Sequence, residues 1–296
     1  MSGTLADHMR NKLEELSPAE RKVARVLLAG YPAAVFETVA AIAERAQVST
    51  PTVLRCAARL GFAGFPDFQA AVRAELDARN ASPVTLYETS GRARREAPAP
   101  SSADTSGPGE PLLAQAATEM GRALADTFTQ TPAHDFRTAA DLLSDPRRRI
   151  FLCGGRFTHL LAQYLALHLM QLRDQVTVLS ERPVERTSTL RQLARRDVLV
   201  LFDYRRYEND KTVMAQLAKE RSGKVIVFTD PWLSPTAAQA DVVLTSQVAT
   251  TSPYDSLTPT LAVIETLISA VIDRLGEAGH QHLKRTEHTA HRIGLV

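Results

Sequence analysis

A chain of 296 residues with 44% hydrophobic residues is long enough to form two globular domains, each with a core of its own. Its apolar runs are too short to span a bilayer and no apolar leader follows Met1, so we expect a cytoplasmic protein without a membrane partner. The formal net charge of +2 is nearly neutral, so any affinity for nucleic acid has to come from a local motif.

The first part of the chain is predicted to be entirely helical. One helix begins with a capping box from Ser17 to Glu20 and ends near Gly30. A second begins at Thr38, and a third follows the short turn at residues 47 and 48, with Ser49 as its cap. The second and third helices each carry an inward apolar stripe, and two short helices joined by a tight turn are typical of a helix-turn-helix.

The outward face of the third helix is predicted to carry polar side chains. Such side chains hydrogen-bond phosphates and base edges when a helix enters a major groove of DNA. A three-helix bundle with a solvated polar face fits the same spacing. The predicted DNA contacts are Ser49, Thr50, Thr52, Arg55 and Arg59.

From Leu16 to Leu76 the chain resembles the N-terminal domain of the RpiR-type regulator family. The resemblance implies that double-stranded operator DNA is a partner and that residues 50–60 form the recognition helix. Phe62, Phe65 and Phe68 are expected to pack this domain instead of touching bases. The matching stretches are Leu16–Ala24, Ala43–Ser49, Thr52–Arg55, Leu60–Phe62, Gly64–Phe65 and Phe68.

Residues 80–111 are rich in proline, glycine, serine and alanine, and they show no apolar period. This composition predicts a flexible linker. A basic cluster at residues 92–95 is either solvated or adds phosphate contacts that do not depend on sequence. We therefore expect a helix-turn-helix domain at residues 1–79, the linker at 80–111, a ligand-binding domain at 112–279 and a tail at 280–296.

Beyond the linker, five short runs rich in valine, isoleucine and leucine alternate with helical segments. Continuous apolar runs are typical of strands buried on both faces, so we predict an α/β domain with a doubly wound, parallel, five-stranded sheet. The predicted strands are Ile150–Cys153, Val176–Leu179, Val198–Phe202, Val225–Phe228 and Val242–Leu244. The predicted helices are Leu112–Thr129, Phe136–Leu143, Thr158–Leu172, Ser188–Arg195, Asn209–Arg221, Ser234–Gln239 and Leu257–Leu275.

Ligands of doubly wound sheets bind beyond the carboxyl ends of the strands. A glycine turn follows the first strand here, and an arginine pair follows the third. Three converging arginines would attract a small anionic metabolite, with hydroxyl donors from Tyr204 and Tyr207. The alternative is that Arg205 and Arg206 form ion pairs with a partner subunit or with neighbouring carboxylates such as Asp203 and Glu208. The predicted ligand-binding residues are Gly154, Gly155, Arg156, Thr158, Asp203, Tyr204, Arg205, Arg206 and Ser234.

From about residue 118 to 275 the chain resembles the SIS (sugar isomerase) domain of RpiR-type regulators. The resemblance implies a transcription regulator controlled by a small metabolite. Two loops depart from the family pattern, because Arg156 and Thr158 replace a glycine and a serine, and residues 203–208 replace a hydroxyl-rich phosphate loop. A sugar phosphate and an organic acid both stay open as effectors. The matching stretches are Asp197–Val200, Gly223–Asp230, Ser234-Pro235 and Ala240–Leu244.

The rival hypothesis is a sugar-phosphate isomerase with an accessory helical domain, in which Glu208 or His159 would serve as the base. We expect no catalytic residues, because the phosphate loop is rewritten and a DNA-reading domain is attached. We also expect no cofactor and no metal site: Cys56 and Cys153 are predicted to be buried hydrophobes, and the histidines after residue 279 are predicted to belong to a solvated tail. A single helix-turn-helix reads a short half-site, so a homodimer or homotetramer is expected.

Overall fold

The computed structural model describes residues 4–80, 82, 84–88, 110–250 and 252–295. The chain divides into two compact units, Met1–Ala81 and Ser82–Val296. Within the described ranges, every helix is too short or too polar to cross a lipid bilayer.

The first unit is all-helical, as predicted; its described residues contain the three predicted helices and two further α-helices, one at each end. The predicted capping box is present, because the amide of Ser17 donates to Glu20 Oε2 at 2.9 Å and the amide of Glu20 donates to Ser17 Oγ at 3.4 Å. The apolar residues on the inward sides of these helices form the buried core of the bundle. The helices are α1 (Leu5–Asn11), α2 (Pro18–Ala29), α3 (Val39–Ala46), α4 (Thr50–Arg59) and α5 (Phe65–Asn80), with 3-10 turns at Leu13–Glu15 and Ala33–Phe36.

Three phenylalanines belong to the apolar core of this bundle. Phe65 and Phe68 are buried, and the ring centroid of Phe62 lies 5.0 Å from that of Phe68. These contacts confirm that the phenylalanines pack the domain.

The second unit is a three-layer α/β structure whose central sheet has the strand order β2-β1-β3-β4-β5 with every pairing parallel. This confirms the predicted fold class. The strands are β1 (Ile150–Gly154), β2 (Val176–Val178), β3 (Val198–Phe202), β4 (Lys224–Thr229) and β5 (Val242–Thr245). The helices are α6 (Glu110–Gln130), α7 (Ala133–Ser144), α8 (His159–Leu172), α9 (Pro183–Arg191), α10 (Asn209–Glu220) and α11 (Thr258–Arg292), with a 3-10 turn at Pro235–Gln239.

Alternate residues of each central strand enter cores on opposite faces of the sheet. Leu152, Val200 and Phe202 pack with α7, α8 and α11, whereas Cys153 and Leu201 pack with α9 and α10. Because both faces are covered, the strands are apolar at consecutive positions. The strand order reverses direction between β1 and β3, so the loops after these two strands diverge and leave a crevice at the carboxyl edge.

The C-terminal segment differs from the prediction. Residues 280–292 are helical and form the end of α11, beyond a kink at Gly276 (φ 49°, ψ −128°), although most of their side chains are exposed as expected of a solvated segment. The reason is tertiary packing: ring nitrogens of His282 lie 3.0 Å from the carbonyl oxygen of Gln171 and 3.2 Å from Asp174 Oδ1. The helix therefore docks on the end of α8.

The predicted linker is only partly covered by the structure. Residues 84–88 are helical and α6 already begins at Glu110, so the predicted stretch 80–111 is not wholly irregular. The remainder, including the basic cluster at residues 92–95, lies outside the described residues. A second boundary differs at α9, which begins at Pro183 instead of Ser188 because proline fits the first turn of a helix.

Candidate functional site

The first unit contains a helix-turn-helix formed by α3 and α4. The turn is only three residues long, and Gln47 adopts a left-handed conformation (φ 52°) that ends α3 abruptly. Ile42 and Ala46 of α3, together with Val53 and Cys56 of α4, are buried against α2. The opposite side of α4 is therefore the face available to a ligand of this unit.

The exposed face of α4 contains most of the predicted DNA contacts, but one is misplaced. Ser49, Thr50, Arg55 and Arg59 are exposed, whereas Thr52 is 5% exposed. Thr52 lies one turn before the buried Cys56, so it shares the inward face of the helix. The prediction that Thr52 faces outward is wrong.

Thr52 instead holds neighbouring side chains. Its Oγ1 accepts a hydrogen bond from Arg55 Nη2 at 3.0 Å and lies 3.0 Å from Ser49 Oγ. Ser49 occupies the cap position, yet its hydroxyl contacts Thr52 and makes no capping bond to a backbone amide. The hydrogen-bonded side chains of Ser49 and Thr52 thus orient the exposed guanidinium of Arg55 in the middle of α4.

Two features of this surface were missed by the sequence analysis. Leu54 is 45% exposed beside Arg55, and an apolar side chain on a recognition helix can contact a thymine methyl group. Arg55 and Arg59 also affect the pKa of Glu20. Burial by itself raises the pKa of the Glu20 carboxyl, but hydrogen bonds from Ser17 and the positive charges of Arg55 and Arg59 outweigh burial, so the pKa is lowered. The helical periodicity alone could have identified Leu54.

The second unit has a cleft of about 550 Å³ at the carboxyl edge of its sheet. Its walls include residues 155–158 after β1, residues 203–206 and 208 after β3, and residues 254, 255 and 257 before α11. Two of these loops flank the point where the strand order reverses, which is the usual binding position in such sheets.

The glycine loop after β1 is hydrogen-bonded to the end of β3. A Cβ on Gly154 would lie 2.5 Å from the amide nitrogen of His159, so only glycine fits there. The amide of Gly155 donates to Thr158 Oγ1 at 2.9 Å, and this buried hydroxyl donates to the carbonyl of Phe202 at 3.0 Å. Gly154 and Thr158 thus shape the loop.

A carboxylate of the chain itself lies at the glycine loop that precedes α8. Glu208 Oε1 is 3.4 Å from the amide nitrogen of Arg156. The other oxygen, Oε2, accepts from Lys211 Nζ at 2.7 Å. Burial lowers the pKa of Lys211, but hydrogen bonds to Glu208 and Asp210 outweigh it and keep the ammonium charged.

Asp203 anchors a buried network beneath the cleft. It accepts hydrogen bonds from the hydroxyls of Ser234 and Thr236 and from the amide of Glu208. Burial raises the pKa of Asp203 even though these hydrogen bonds favour the carboxylate. Ser234, a predicted ligand contact, is 2% exposed and is committed to Asp203, so its predicted access to a ligand is wrong.

The two tyrosines of the β3 loop also use their hydroxyls internally. Tyr204 Oη lies 2.8 Å from both Ser246 Oγ and Thr260 Oγ1, and burial raises the pKa of its phenol. Tyr207 Oη donates to Asp230 Oδ1 at 2.7 Å. The prediction that Tyr204 and Tyr207 offer their hydroxyls to a ligand is wrong, because both hydroxyls are hydrogen-bonded within the chain.

Arg205 and Arg206 share one carboxylate, Asp255, which the sequence analysis did not identify. Asp255 forms an ion pair with Arg205, and its Oδ2 lies 3.5 Å from Arg206 Nη2. The guanidinium of Arg205 also lies 5.7 Å from the centroid of the Trp232 ring. Asp255 lies in the long connection between β5 and α11, and no local signal in the sequence links it to the arginine pair.

The three predicted arginines line one cleft. The prediction that they give this cleft an excess of positive charge is wrong. Arg156, Arg205 and Arg206 line it together with Asp203, Glu208 and Asp255. The formal charges of these six lining residues therefore cancel. Two of the carboxylates already have cationic partners, Glu208 with Lys211 and Asp255 with Arg205.

The residues proposed for isomerase chemistry are not arranged as a free base. Glu208 is held by Lys211 and by the amide of Arg156, and His159 is absent from the described lining of the cleft. Among residues 4–80, 82, 84–88, 110–250 and 252–295, no group of three or more histidine, cysteine, aspartate or glutamate side chains could hold a metal ion.

Comparisons with known proteins match both units. A helix-turn-helix domain of the rpiR family matches residues 3–79, and the SIS domain matches residues 142–270. The HTH-type transcriptional regulator HexR of Escherichia coli K12 is 26% identical over 96% of this chain and 93% of its own length. HexR of Pseudomonas aeruginosa PAO1 is 25% identical over 95% of this chain and 93% of its own length.

Two solved structures share the fold. The sugar isomerase domain of an RpiR transcription factor from Sphaerobacter thermophilus has a TM-score of 0.56 and 26% identity, and the match covers 60% of this chain and 99% of that one. The Vibrio vulnificus NanR protein, solved in complex with ManNAc-6P, has a TM-score of 0.53 and 17% identity, and the match covers 99% of each chain.

The helix-turn-helix in one unit and the SIS fold in the other define a DNA-binding transcription regulator, and the full-length similarity to regulators distinguishes it from the enzymes that share the SIS fold. The chain belongs to the RpiR family, in which a helix-turn-helix domain precedes a SIS domain.

Proposed function

We propose that this cytoplasmic regulator binds operator DNA through the exposed face of α4, and that a small anionic metabolite in the SIS-domain cleft changes its affinity for the operator. The observation that supports the ligand most directly is the position of Arg205 and Arg206 on the wall of a cleft at the strand-order reversal. Adjacent guanidinium groups bind carboxylates and phosphates through paired hydrogen bonds.

One comparison structure supports a small anionic metabolite as the class of ligand. NanR was solved with ManNAc-6P, a phosphorylated sugar, and its fold covers the whole of this chain. The loop after β3 here uses Arg205 and Arg206 where the family has hydroxyl groups, so the chemistry of recognition differs even if the position of the ligand is shared. Both a sugar phosphate and an organic acid satisfy an arginine pair.

The test is a calorimetric titration of the full-length protein with a panel of sugar phosphates and organic acids. Arg206→Ala is the informative variant, because its side chain is 27% exposed and its removal leaves the core intact. We expect loss of binding of the effector, with operator affinity in the absence of effector unchanged. Arg182→Ala removes an equal charge from an 82% exposed side chain and serves as the control. Wild-type effector binding and full induction in Arg206→Ala would contradict the proposed site.

We further propose that the chain acts as a homodimer or homotetramer held by the SIS domain. Large apolar side chains are exposed on two of its helices. They are Leu112, Leu113, Met120 and Phe128 on α6, and Leu160, Leu167 and Met170 on α8. A fragment starting at Pro111 should remain oligomeric in light scattering at micromolar concentration, and a monomer would contradict the proposal.

A further inference from the structure

The arginine pair of the cleft faces a carboxylate of the same chain. The side chain of Arg205 is 6% exposed and that of Asp255 is 11% exposed, so their ion pair is largely removed from water. Arg206 joins it through the second oxygen of Asp255. The paired oxygens of Asp255 thus occupy the position in which an arginine pair would hold the anionic group of a ligand.

The two sides of this ion pair are anchored differently. The amide of Arg205 donates to Asp230 Oδ2 at 2.5 Å, and its guanidinium lies against Trp232, so it is fixed to the sheet edge. Asp255 lies in the connection from β5 to α11, where the bonds are made within the connection itself: the amide of Ser256 donates to the carbonyl of Val248 at 2.9 Å, and the bonds before Asp255 are exposed. Examples are the amide of Tyr254 with Ser252 Oγ at 3.1 Å and Thr250 Oγ1 with the carbonyl of Tyr254 at 3.1 Å.

We propose that Asp255 is an internal competitor of the effector: it neutralises Arg205 and Arg206 in the free protein and is displaced from them when an anionic ligand binds. The inference rests on the proposed function of the cleft. Asp255 is the partner that moves, because the arginine side is anchored to the sheet and the Asp255 side is held by short-range contacts.

Displacement by exchange also sets the charge selectivity of the cleft. A monocarboxylate offers the arginines the same group that Asp255 already provides, and Asp255 has the advantage of being tethered. A phosphate group carries more negative charge and three acceptor oxygens, so it gains more from the exchange. Asp255 therefore discriminates against singly charged ligands while it lowers the affinity for all anions.

The experiment uses full-length protein and two simple probes, inorganic phosphate and acetate, titrated by calorimetry. Asp255→Asn keeps the shape of the side chain and removes its charge. We expect it to bind phosphate at least about tenfold more tightly than wild type, and to bind acetate measurably where wild type does not. Adding Arg206→Ala to Asp255→Asn should abolish the gain.

A matched control is Asp141→Asn, which breaks another aspartate–arginine pair of the same unit, between Asp141 and Arg274 at 2.6 Å. This control should bind phosphate like wild type. Asp255→Ser provides a second uncharged variant, and the melting temperature of each protein establishes that it is folded.

The outcomes separate the inference from the function on which it rests. If folded Asp255→Asn and Asp255→Ser bind phosphate no more tightly than wild type, while Arg206→Ala still abolishes effector binding, then Asp255 is a fixed part of the site and the inference is overturned. If Arg206→Ala leaves effector binding unchanged, the proposed cleft itself is wrong, and the inference falls with it.

Discussion

The hydrogen bond between Thr52 and Arg55 gives the sharpest test of the DNA-binding surface. Thr52→Val preserves the volume and burial of the side chain but removes the hydroxyl that accepts from Arg55 Nη2 at 3.0 Å. Thr52 itself cannot reach DNA, because it is 5% exposed on the inner side of α4. Any effect of this substitution on operator affinity therefore acts through the side chains that Thr52 holds, which are Arg55 and Ser49, and the double-mutant cycle with Arg55→Ala separates the two.

The magnitude follows from what the hydrogen bond does in the free protein. It holds a long exposed side chain in one orientation, and ordering such a side chain on binding costs about 0.5–1.5 kcal/mol. Thr52→Val should weaken operator binding by that amount, or about 2- to 12-fold. Arg55→Ala should cost about 1–3 kcal/mol if the guanidinium contacts a base.

The assay is fluorescence anisotropy with a duplex that the wild-type protein has selected from a random library, and with a scrambled duplex of equal length. Loss of a base contact should weaken the selected duplex more than the scrambled one, whereas loss of a phosphate contact weakens both equally. Arg25→Ala removes an exposed charge from α2 and serves as the control for net charge.

A double-mutant cycle decides the matter. If Thr52 acts through Arg55, then Thr52→Val should have little effect in the Arg55→Ala background, so the two losses are not additive. Equal losses from Thr52→Val in both backgrounds, or no loss in wild type, would refute the positioning role of Thr52. Unchanged affinity of the double variant Arg55→Ala, Arg59→Ala would refute the interface as a whole.

Three further predictions concern the SIS domain. Gly154→Ala should destabilise the domain by about 1–3 kcal/mol or more in thermal unfolding, because its Cβ would lie 2.5 Å from the amide nitrogen of His159. Gly155→Ala should cost less stability, because the nearest neighbour of its Cβ is the flexible Glu208 side chain at 3.0 Å. Equal losses of stability in the two variants would contradict the argument. Arg173→Leu should cost about 3 kcal/mol or more, because the buried guanidinium of Arg173 donates to the carbonyls of Leu143, Asp145 and Arg148; exposed Arg137→Leu is the control, and a similar loss there would contradict it. Burial would raise the pKa of Asp241, but hydrogen bonds from Lys224, Lys219 and the Val225 amide outweigh burial and lower it. The Asp241 carboxylate therefore stabilises the fold above the ordinary aspartate pKa, and this stabilisation is lost as pH falls through the lowered pKa. The difference in melting temperature between wild type and Asp241→Asn should narrow below about pH 4, and a difference that stays constant with pH would contradict this argument.

Much of the fold could be predicted from short-range patterns. The run Val198–Phe202 has the same bounds as β3, because a strand buried on both faces is apolar at consecutive positions and its end is marked by the first polar residues. The capping box at Ser17 likewise defines the start of α2 through contacts within one helical turn. Such features depend on neighbours in the chain, so the sequence alone is sufficient to identify them.

The site could be located from the sequence but not described. Glycine and arginine at the ends of β1 and β3 identified the cleft, since parallel strands bring their carboxyl ends to one edge. The hydroxyl of Tyr204 was assigned to the cleft, yet it bonds Ser246 and Thr260. Whether a polar side chain at a strand end faces ligand or core depends on partners from distant segments, which local patterns do not specify.

Local patterns are sufficient to predict that a helix-turn-helix precedes a parallel α/β sheet, because caps, apolar periods and strand-end residues act over a few positions. The pairing of the charges depends instead on long-range packing. Asp255 lies far along the chain from Arg205, and nothing in either local segment indicates that they meet; the folding of the loop after β5 onto the sheet edge places them together. The same long-range packing turned the histidine-rich end of the chain into the final turns of α11, because the contacts of His282 with the end of α8 exist only once both helices are folded.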